Sequence, residues 1–428
     1  MKYTPTGWKA LLLLTFCLCS FCVTANDTTR LSGNKKDSIF NNKKPFRNHL
    51  YYGVSGHAGS MLKLDEYIKD FLKTTSEQIY SVKVNYQTLP SDSDRYASDY
   101  NYPTFSLGFS IMDNSRVEMY NNDNKVEYIS RMGLSYALYG SFQRPLLRKR
   151  KFSISYTFEN GIAYETKPYN KYTNIANELT GSSLLLYFGA GIHFYYRPVP
   201  NFEIGFGPEF SHLSNSALDR PNKGSNALGI GFHARYYPVP PPEYFPQLPE
   251  VKYPKGFYYN VSAGLGIKTL LDEWLYNRSN REKDDPEYMS GDYKMYLSYN
   301  FSTDIMYRYA RRFGSGIGID LFYTPYAERI REIERLREFP SRDYDKWSVG
   351  IGPKHEAYYG NLSLSISLCY YLYRRMGYLA EINDEAKIYE RIGLRYYFPS
   401  LNNLFVGYHV KAHLTKADFM EFCVGIKL

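Results

Sequence analysis

Tryptophan and cysteine are scarce in this chain of 428 residues, with three and five respectively. Cys17, Cys19 and Cys22 fall within the first 25 positions, which leaves Cys369 and Cys423. Two thiols cannot build a disulfide framework, so covalent staples are excluded as the source of stability. A lipoprotein signal needs a small residue before its cysteine, and Phe21 precedes Cys22, which excludes lipidation there. Long apolar runs are equally rare. One covers 10–23, behind Lys2 and Lys9, and leads to Val23-Thr24-Ala25, the pattern of an export signal cut before Asn26. After it no stretch approaches the roughly 18 apolar residues of a membrane helix. The acidic run Glu282-Lys283-Asp284-Asp285-Pro286-Glu287 lacks the glycine and ligand spacing of a calcium loop and reads as solvated charge.

What the chain has is aromatic residues, with 46 Tyr and 26 Phe, set in segments of about ten residues that alternate apolar with polar. From Phe152, for example, Phe152, Ile154, Tyr156 and Phe158 take one parity, and Ser153, Ser155, Thr157 and Glu159 the other. Dyad alternation with aromatic girdles is the signature of an outer-membrane antiparallel β-barrel; a secreted β-sandwich is the alternative for an exported all-β chain. The net charge of +9 suits contact with anionic lipopolysaccharide, and nothing points to nucleic acid.

Residues 26–46 are polar and read as a flexible periplasmic lead-in. Strands are expected around 49–61, 78–88, 102–112, 127–143, 151–164, 182–197, 201–214 and 226–238, which makes 47–238 one barrel. Pro238-Val239-Pro240-Pro241-Pro242 opens a stiff linker over 239–254. A second set follows within 255–428, around 256–269, 293–308, 314–325, 347–358, 362–373, 387–398, 403–415 and 418–428. Two tandem eight-stranded barrels are therefore expected, with one barrel of about sixteen strands as the alternative. Ile330, Ile333, Leu336 and Phe339 have helical spacing and predict a short surface helix in a long loop. The halves echo each other, as in His212-Leu213-Ser214 and His413-Leu414-Thr415. Phe422, Val424, Ile426 and Leu428 alternate up to the last residue, like the closing strand that barrel-assembly machinery recognises.

The chemistry concentrates at Ser211-His212-Leu213-Ser214-Asn215, followed by Pro221-Asn222-Lys223-Gly224. His212 and Ser214 are two apart on a strand, so they share one face. Phe202, Ile204, Phe206 and Phe210 share that parity, which puts an imidazole and a hydroxyl on the lipid-facing side. Short turns at Arg148-Lys149-Arg150 and Arg197-Pro198-Val199-Pro200, against a long loop over 166–181, place this pair near the outer leaflet. Such a pair is the minimum for nucleophilic ester cleavage, although a polar pair at a membrane rim is also ordinary. Glu209 has the opposite parity and is expected in the lumen. His193 and His233 sit on polar faces of neighbouring strands and read as packed histidines rather than metal ligands.

These motifs, His-x-Ser-Asn with Pro-Asn-x-Gly near the end of an eight-strand unit, resemble the signature of the outer-membrane lipid A 3-O-deacylases. The resemblance covers about 47–238, and the second half is similar to the C-terminal extension of acyloxyacyl hydrolases. It implies a hydrolase that removes an ester-linked acyl chain from lipid A without metal or cofactor. Ser214 would be the nucleophile, His212 its base, Asn215 a candidate oxyanion donor, and Asn222 with Gly224 would shape the outer turn. The family's acid falls at Asn226, a departure: an amide can hold the imidazole tautomer but cannot neutralise an imidazolium. An outer-membrane phospholipase and a non-catalytic pore or scaffold are the alternatives.

Overall fold

The structure is a computed structural model that describes residues 44–64, 66–120, 129–249, 251–382, 387–413 and 416–428. The expected export signal, nearly all of the lead-in and Leu414-Thr415 of the sequence echo lie outside the described residues. The chain divides into two compact units: one holds the residues up to Asn215 and from Gly224 to the linker, the other Ser216–Lys223 and Val251–Leu428.

The first unit contains ten strands: β1 (Leu50–Met61), β2 (Leu72–Gln87), β3 (Thr104–Asp113), β4 (Val117–Tyr120), β5 (Ile129–Arg131), β6 (Leu134–Arg148), β7 (Phe152–Glu165), β8 (Leu184–Val199), β9 (Phe202–Ser214) and β10 (Ser225–Tyr236). Eight of them follow one another in the order β1-β10-β9-β8-β7-β6-β3-β2, and antiparallel pairing of β1 with β2 closes the ring. The short strands β4 and β5 extend the outer part of β2, where Leu72 pairs with Met119. The four residues of β4 are too few to show an alternation, β5 falls within the single strand expected around 127–143, and β2 begins earlier than expected. The 16-residue β2 follows an equally plain rule at its other end, where a 3-10 turn at Pro90–Asp92 and a helix at Arg95–Asp99 fill the link to β3.

Side-chain parity decides the two faces. Along β9, Phe202, Ile204 and Phe206 lie exposed on the outside, whereas Glu203, Ser211 and Leu213 are buried inside. Val82 and Val84 of β2 and Ile230 and Phe232 of β10 continue the outer band. A continuous apolar band of this kind would be a liability in water and is what a barrel presents to lipid. The lumen is filled in layers. Met61, Leu72, Met119, Met132 and Leu179 cap the long-loop end, and Ile79, Met112, Tyr139, Tyr187 and Leu213 form an apolar layer below. Near the opposite end Arg235 donates to Glu203 at 3.2 Å and to Gln143 at 2.5 Å, with Arg197 bonded to the other oxygen of Glu203 at 2.9 Å.

The second unit is a closed antiparallel barrel of β11 (Gly256–Lys268), β12 (Tyr296–Ala310), β13 (Phe313–Tyr323), β14 (Trp347–Tyr359), β15 (Leu362–Tyr373), β16 (Ile388–Phe398), β17 (Leu404–His413) and β18 (Lys416–Lys427). Pairing of β18 with β11, from Asn260↔Lys427 to Ile267↔Met420, completes it. The tandem eight-stranded architecture is thus the observed one, and the single sixteen-stranded ring is not. Charged side chains fill this lumen too. Asp320 accepts from Lys354 at 2.7 Å and Arg391 at 2.9 Å, and Glu356 accepts from Arg395 at 2.8 Å. A helix over Ala327–Leu336 buries Ile330 and Ile333 but leaves Leu336 exposed; Phe339 lies beyond its end. In the acidic run, Asp285 pairs with Arg281 at 2.7 Å. Cys369 and Cys423 are buried free thiols. Among the described residues no helix is long and apolar enough to cross a membrane.

Candidate active site

The site grows from the β9–β10 hairpin at the long-loop end of the first barrel. Antiparallel register sets His212 directly opposite Asn226, and on the other flank opposite Phe188 of β8. Directly opposed residues have neighbouring side chains on the same face, so the pairing alone brings imidazole and amide together. Asn226 Oδ1 lies 2.8 Å from His212 Nδ1. An amide oxygen only accepts, so Nδ1 carries the proton and Nε2 presents a lone pair.

Ser214 lies two residues on, on the same outward face, opposite Leu186 of β8. The outward face changes character along the strand: Phe206 is 52% exposed, and Ser214 only 5%. The loop over 166–183 explains part of this change. Its Leu179 and Thr180 are buried, and the Leu179 carbonyl accepts from the Gly224 N–H at 3.0 Å. Phe188 and Phe210 flank His212, their rings 6.4 Å apart, so the imidazole stands beside aromatic, lipid-side surface.

Gly224 has φ +76°, and a Cβ there would lie 3.0 Å from His212 Cε1. The turn therefore needs glycine both for its left-handed backbone and for the histidine's space. Asn215 is buried and donates from Nδ2 to Ser182 Oγ at 3.2 Å, so one of its amide protons is engaged with the start of β8. Asn222 lies in the segment Ser216–Lys223, which groups with the second unit. Of the residues singled out in the sequence, the structure joins His212, Asn226 and Gly224 directly, sets Ser214 on their face, and turns Asn215 toward Ser182.

Glu209 lies within the lumen, as its parity requires, but its company was missed. It meets His57 Nδ1 at 3.0 Å, His193 Nε2 at 2.9 Å and His233 Nε2 at 3.0 Å. His193 and His233, which read from the sequence as packed histidines, share an acidic neighbour: β9 runs between β8 and β10, and its Glu209 lies between the two rings. Parity did give the signal, since all four side chains face inward. What sequence cannot give is the stagger that brings four strands to one level.

The first unit is thus a closed barrel whose apolar outer face carries an imidazole, an amide and a hydroxyl near the long-loop end. Residues 51–235 match the family described as lipid A 3-O-deacylase (PagL), and residues 257–428 match the acyloxyacyl hydrolase C-terminal domain. The two models cover one barrel each, so the likeness to this family holds barrel by barrel. Among solved structures, the outer-membrane enzyme PagL shares 14% identity, covering 42% of this chain and 97% of that one, with a TM-score of 0.27. An outer-membrane channel from Pseudomonas putida F1 shares 7% identity, covering 92% of this chain and 100% of that one, with a TM-score of 0.21. No curated relative matches the chain.

Proposed function

We propose that the chain is an outer-membrane serine hydrolase that removes an ester-linked acyl chain from lipid A, with Ser214 as nucleophile, His212 as general base and Asn226 as the residue that orients the imidazole. The observation that carries this reading is the 2.8 Å contact from His212 Nδ1 to Asn226 Oδ1 on the lipid-side face of β9. It leaves Nε2 free of a proton on the face that Ser214 shares. The match of residues 51–235 to the lipid A 3-O-deacylase family supports the substrate class.

In this mechanism His212 Nε2 takes the Ser214 hydroxyl proton as Oγ attacks the acyl carbonyl. The tetrahedral intermediate collapses, and the lipid A hydroxyl leaves with the proton from His212. Water, activated by the same imidazole, then releases the fatty acid and restores Ser214. Asn215 is a candidate donor to the oxyanion, and Asn222 and Gly224 shape the turn that follows. The chemistry asks for no metal or cofactor at this face. Asn226 makes the reaction slower than a carboxylate would, because an amide leaves the transient imidazolium without a counter-charge.

The test is mass spectrometry of lipid A and of phospholipids from an outer membrane with and without the protein. Loss of one ester-linked chain from lipid A, abolished in Ser214→Ala, is the expected result. Release from phospholipid alone would reassign the substrate, and release of nothing by a folded protein would overturn the hydrolase. Several orders of magnitude in rate should vanish with the nucleophile, with heat-modifiable folding unchanged.

A further inference from the structure

The inward face of the first barrel carries a second constellation, on the side of the strands opposite to His212 and Ser214. His193 of β8, Glu209 of β9 and His233 of β10 bring one ligand atom each to a common point, all within 4.8 Å of one another. Glu209 Oε1 is 2.9 Å from His193 Nε2 and 3.0 Å from His233 Nε2. In a tetrahedral zinc site with bonds of about 2.0–2.1 Å, neighbouring ligand atoms stand roughly 3.3 Å apart. Glu209 would need to part from each histidine by only a few tenths of an ångström to admit the ion.

Four observations point to a cation rather than to packing. His57, His193 and His233 are all more than nine-tenths buried, and the Nε2 atoms of His57 and His233 have no hydrogen-bond partner. His233 Nε2 approaches Glu209 closely without hydrogen-bond geometry, as expected for ligands that face a shared centre rather than each other. The outer contacts are also those of a metal site: Thr157 Oγ1 lies 3.4 Å from His193 Nδ1, and His57 Nδ1 holds the second oxygen of Glu209 at 3.0 Å. Finally, there is room. A cavity of about 20 Å³ lined by His57, Thr157, His193 and Glu209 adjoins two of the three ligands, with His233 outside its lining, and one water needs about 10–15 Å³. Glycines keep the space open: a Cβ on Gly191 would stand 2.9 Å from His193 Nε2, and one on Gly231 would overlap the Glu209 carboxylate.

Charge argues the same way. The nearby Lys83 is committed to Glu159 at 2.5 Å, and a second carboxylate, Glu77, lies 3.8 Å from His57 Nε2. A divalent ion on Glu209 would balance its charge in a site shielded from water, with Glu77 beyond His57 adding to the negative surroundings.

We propose that His193, His233 and Glu209 bind one divalent transition-metal ion in the lumen of the first barrel, zinc being the best fit to two imidazoles and a carboxylate, with water at the open position and His57 holding the carboxylate. The site ties β8, β9 and β10 together behind the lipid-facing pair. It stands independently of the role given to Ser214.

The experiment uses the untagged full-length protein, folded in detergent, loaded with Zn²⁺ or Co²⁺ and dialysed. About one zinc per chain by elemental mass spectrometry and visible d–d bands from cobalt are expected. His193→Ala combined with Glu209→Gln should abolish both signals, and Thr157→Val should weaken binding by about 10–100-fold, the usual effect of losing an outer-shell partner. Ser214→Ala should bind metal as the parent does. A folded parent that holds neither ion would overturn the site, even if the double variant failed to fold. Equal binding by parent and folded double variant would also overturn it, because the metal would then sit elsewhere.

Discussion

A Cβ placed on Gly224 would stand 3.0 Å from His212 Cε1, and the Gly224 backbone has φ +76°. The turn after the candidate nucleophile and the wall of the histidine pocket are thus the same residue. Gly224→Ala must hold a left-handed backbone, at about 1–2 kcal/mol, and must also displace the imidazole. The expected result is a folded barrel whose release of acyl chain falls at least tenfold. Fatty-acid release, measured alongside the heat-induced shift in electrophoretic mobility, separates the two effects. Unchanged release would mean that His212 does not depend on this turn.

Asn226 offers a sharper test, because its partner atom is known. Asn226→Asp keeps the shape and puts a full charge 2.8 Å from His212 Nδ1. A charge-assisted hydrogen bond to the imidazolium is worth about 1.4 kcal/mol more in the transition state, or roughly tenfold in rate. Asn226→Ala removes the acceptor and should lower the rate by a larger factor. Steady-state release by the three proteins should rank Asp above Asn above Ala. A rank with Asn on top would show a site built around the amide.

Much of this arrangement was legible from parity alone. Phe202, Ile204 and Phe206 announce the outward face, and His212 and Ser214 share their parity. Strand positions followed from alternation and turn chemistry, and the proline-rich stretch from Pro238 marked the place where one ring ends. The short β4 escaped because four residues carry no period, and the strand expected around 127–143 is divided into β5 and β6. The cluster around Glu209 escaped for another reason. Its members come from β1, β8, β9 and β10, and only the register of a closed ring sets residues 57, 193, 209 and 233 at one height. Likewise, the family resemblance singled out Asn215, but the loop that carries Ser182 decides where its amide donates.

The charged lumen of the second barrel predicts a stability effect far from any chemistry. Asp320 accepts from Lys354 at 2.7 Å, Arg391 at 2.9 Å, Tyr389 at 2.8 Å and Ser302 at 2.6 Å. Asp320→Ala leaves two buried cations short of a counter-charge and should cost about 3–5 kcal/mol. By contrast, the exposed pair of Arg375 with Asp343 should contribute about 0–1 kcal/mol, so Arg375→Ala serves as the control. The temperature at which each detergent-solubilised protein loses its compact electrophoretic form reports the difference. Equal midpoints for the two variants would show that Asp320 is not holding the lumen together.

The closing strand gives the last prediction. β18 pairs with both β11 and β17, and Tyr259 and Leu428 exchange backbone hydrogen bonds of 3.0 and 2.9 Å at its end. Deleting 419–428 strips partners from two strands at once. Each unpaired backbone group in hydrocarbon costs several kcal/mol, so the shortened chain should not enter the outer membrane. A chain cut after Tyr237 is a different case. It keeps all of β1 to β10, including the β1–β2 pairing that shuts the first ring, so no strand of that barrel loses a neighbour. Residues 26–237 should therefore refold in detergent to a heat-modifiable barrel, while the chain ending at Lys416–Asp418 should stay protease-sensitive in the periplasm. Protease accessibility in cells and gel mobility in detergent distinguish these outcomes. Insertion of the chain lacking 419–428 would show that the second ring can close without β18, and failure of 26–237 to fold in any detergent would show that the first ring cannot stand on its own pairings.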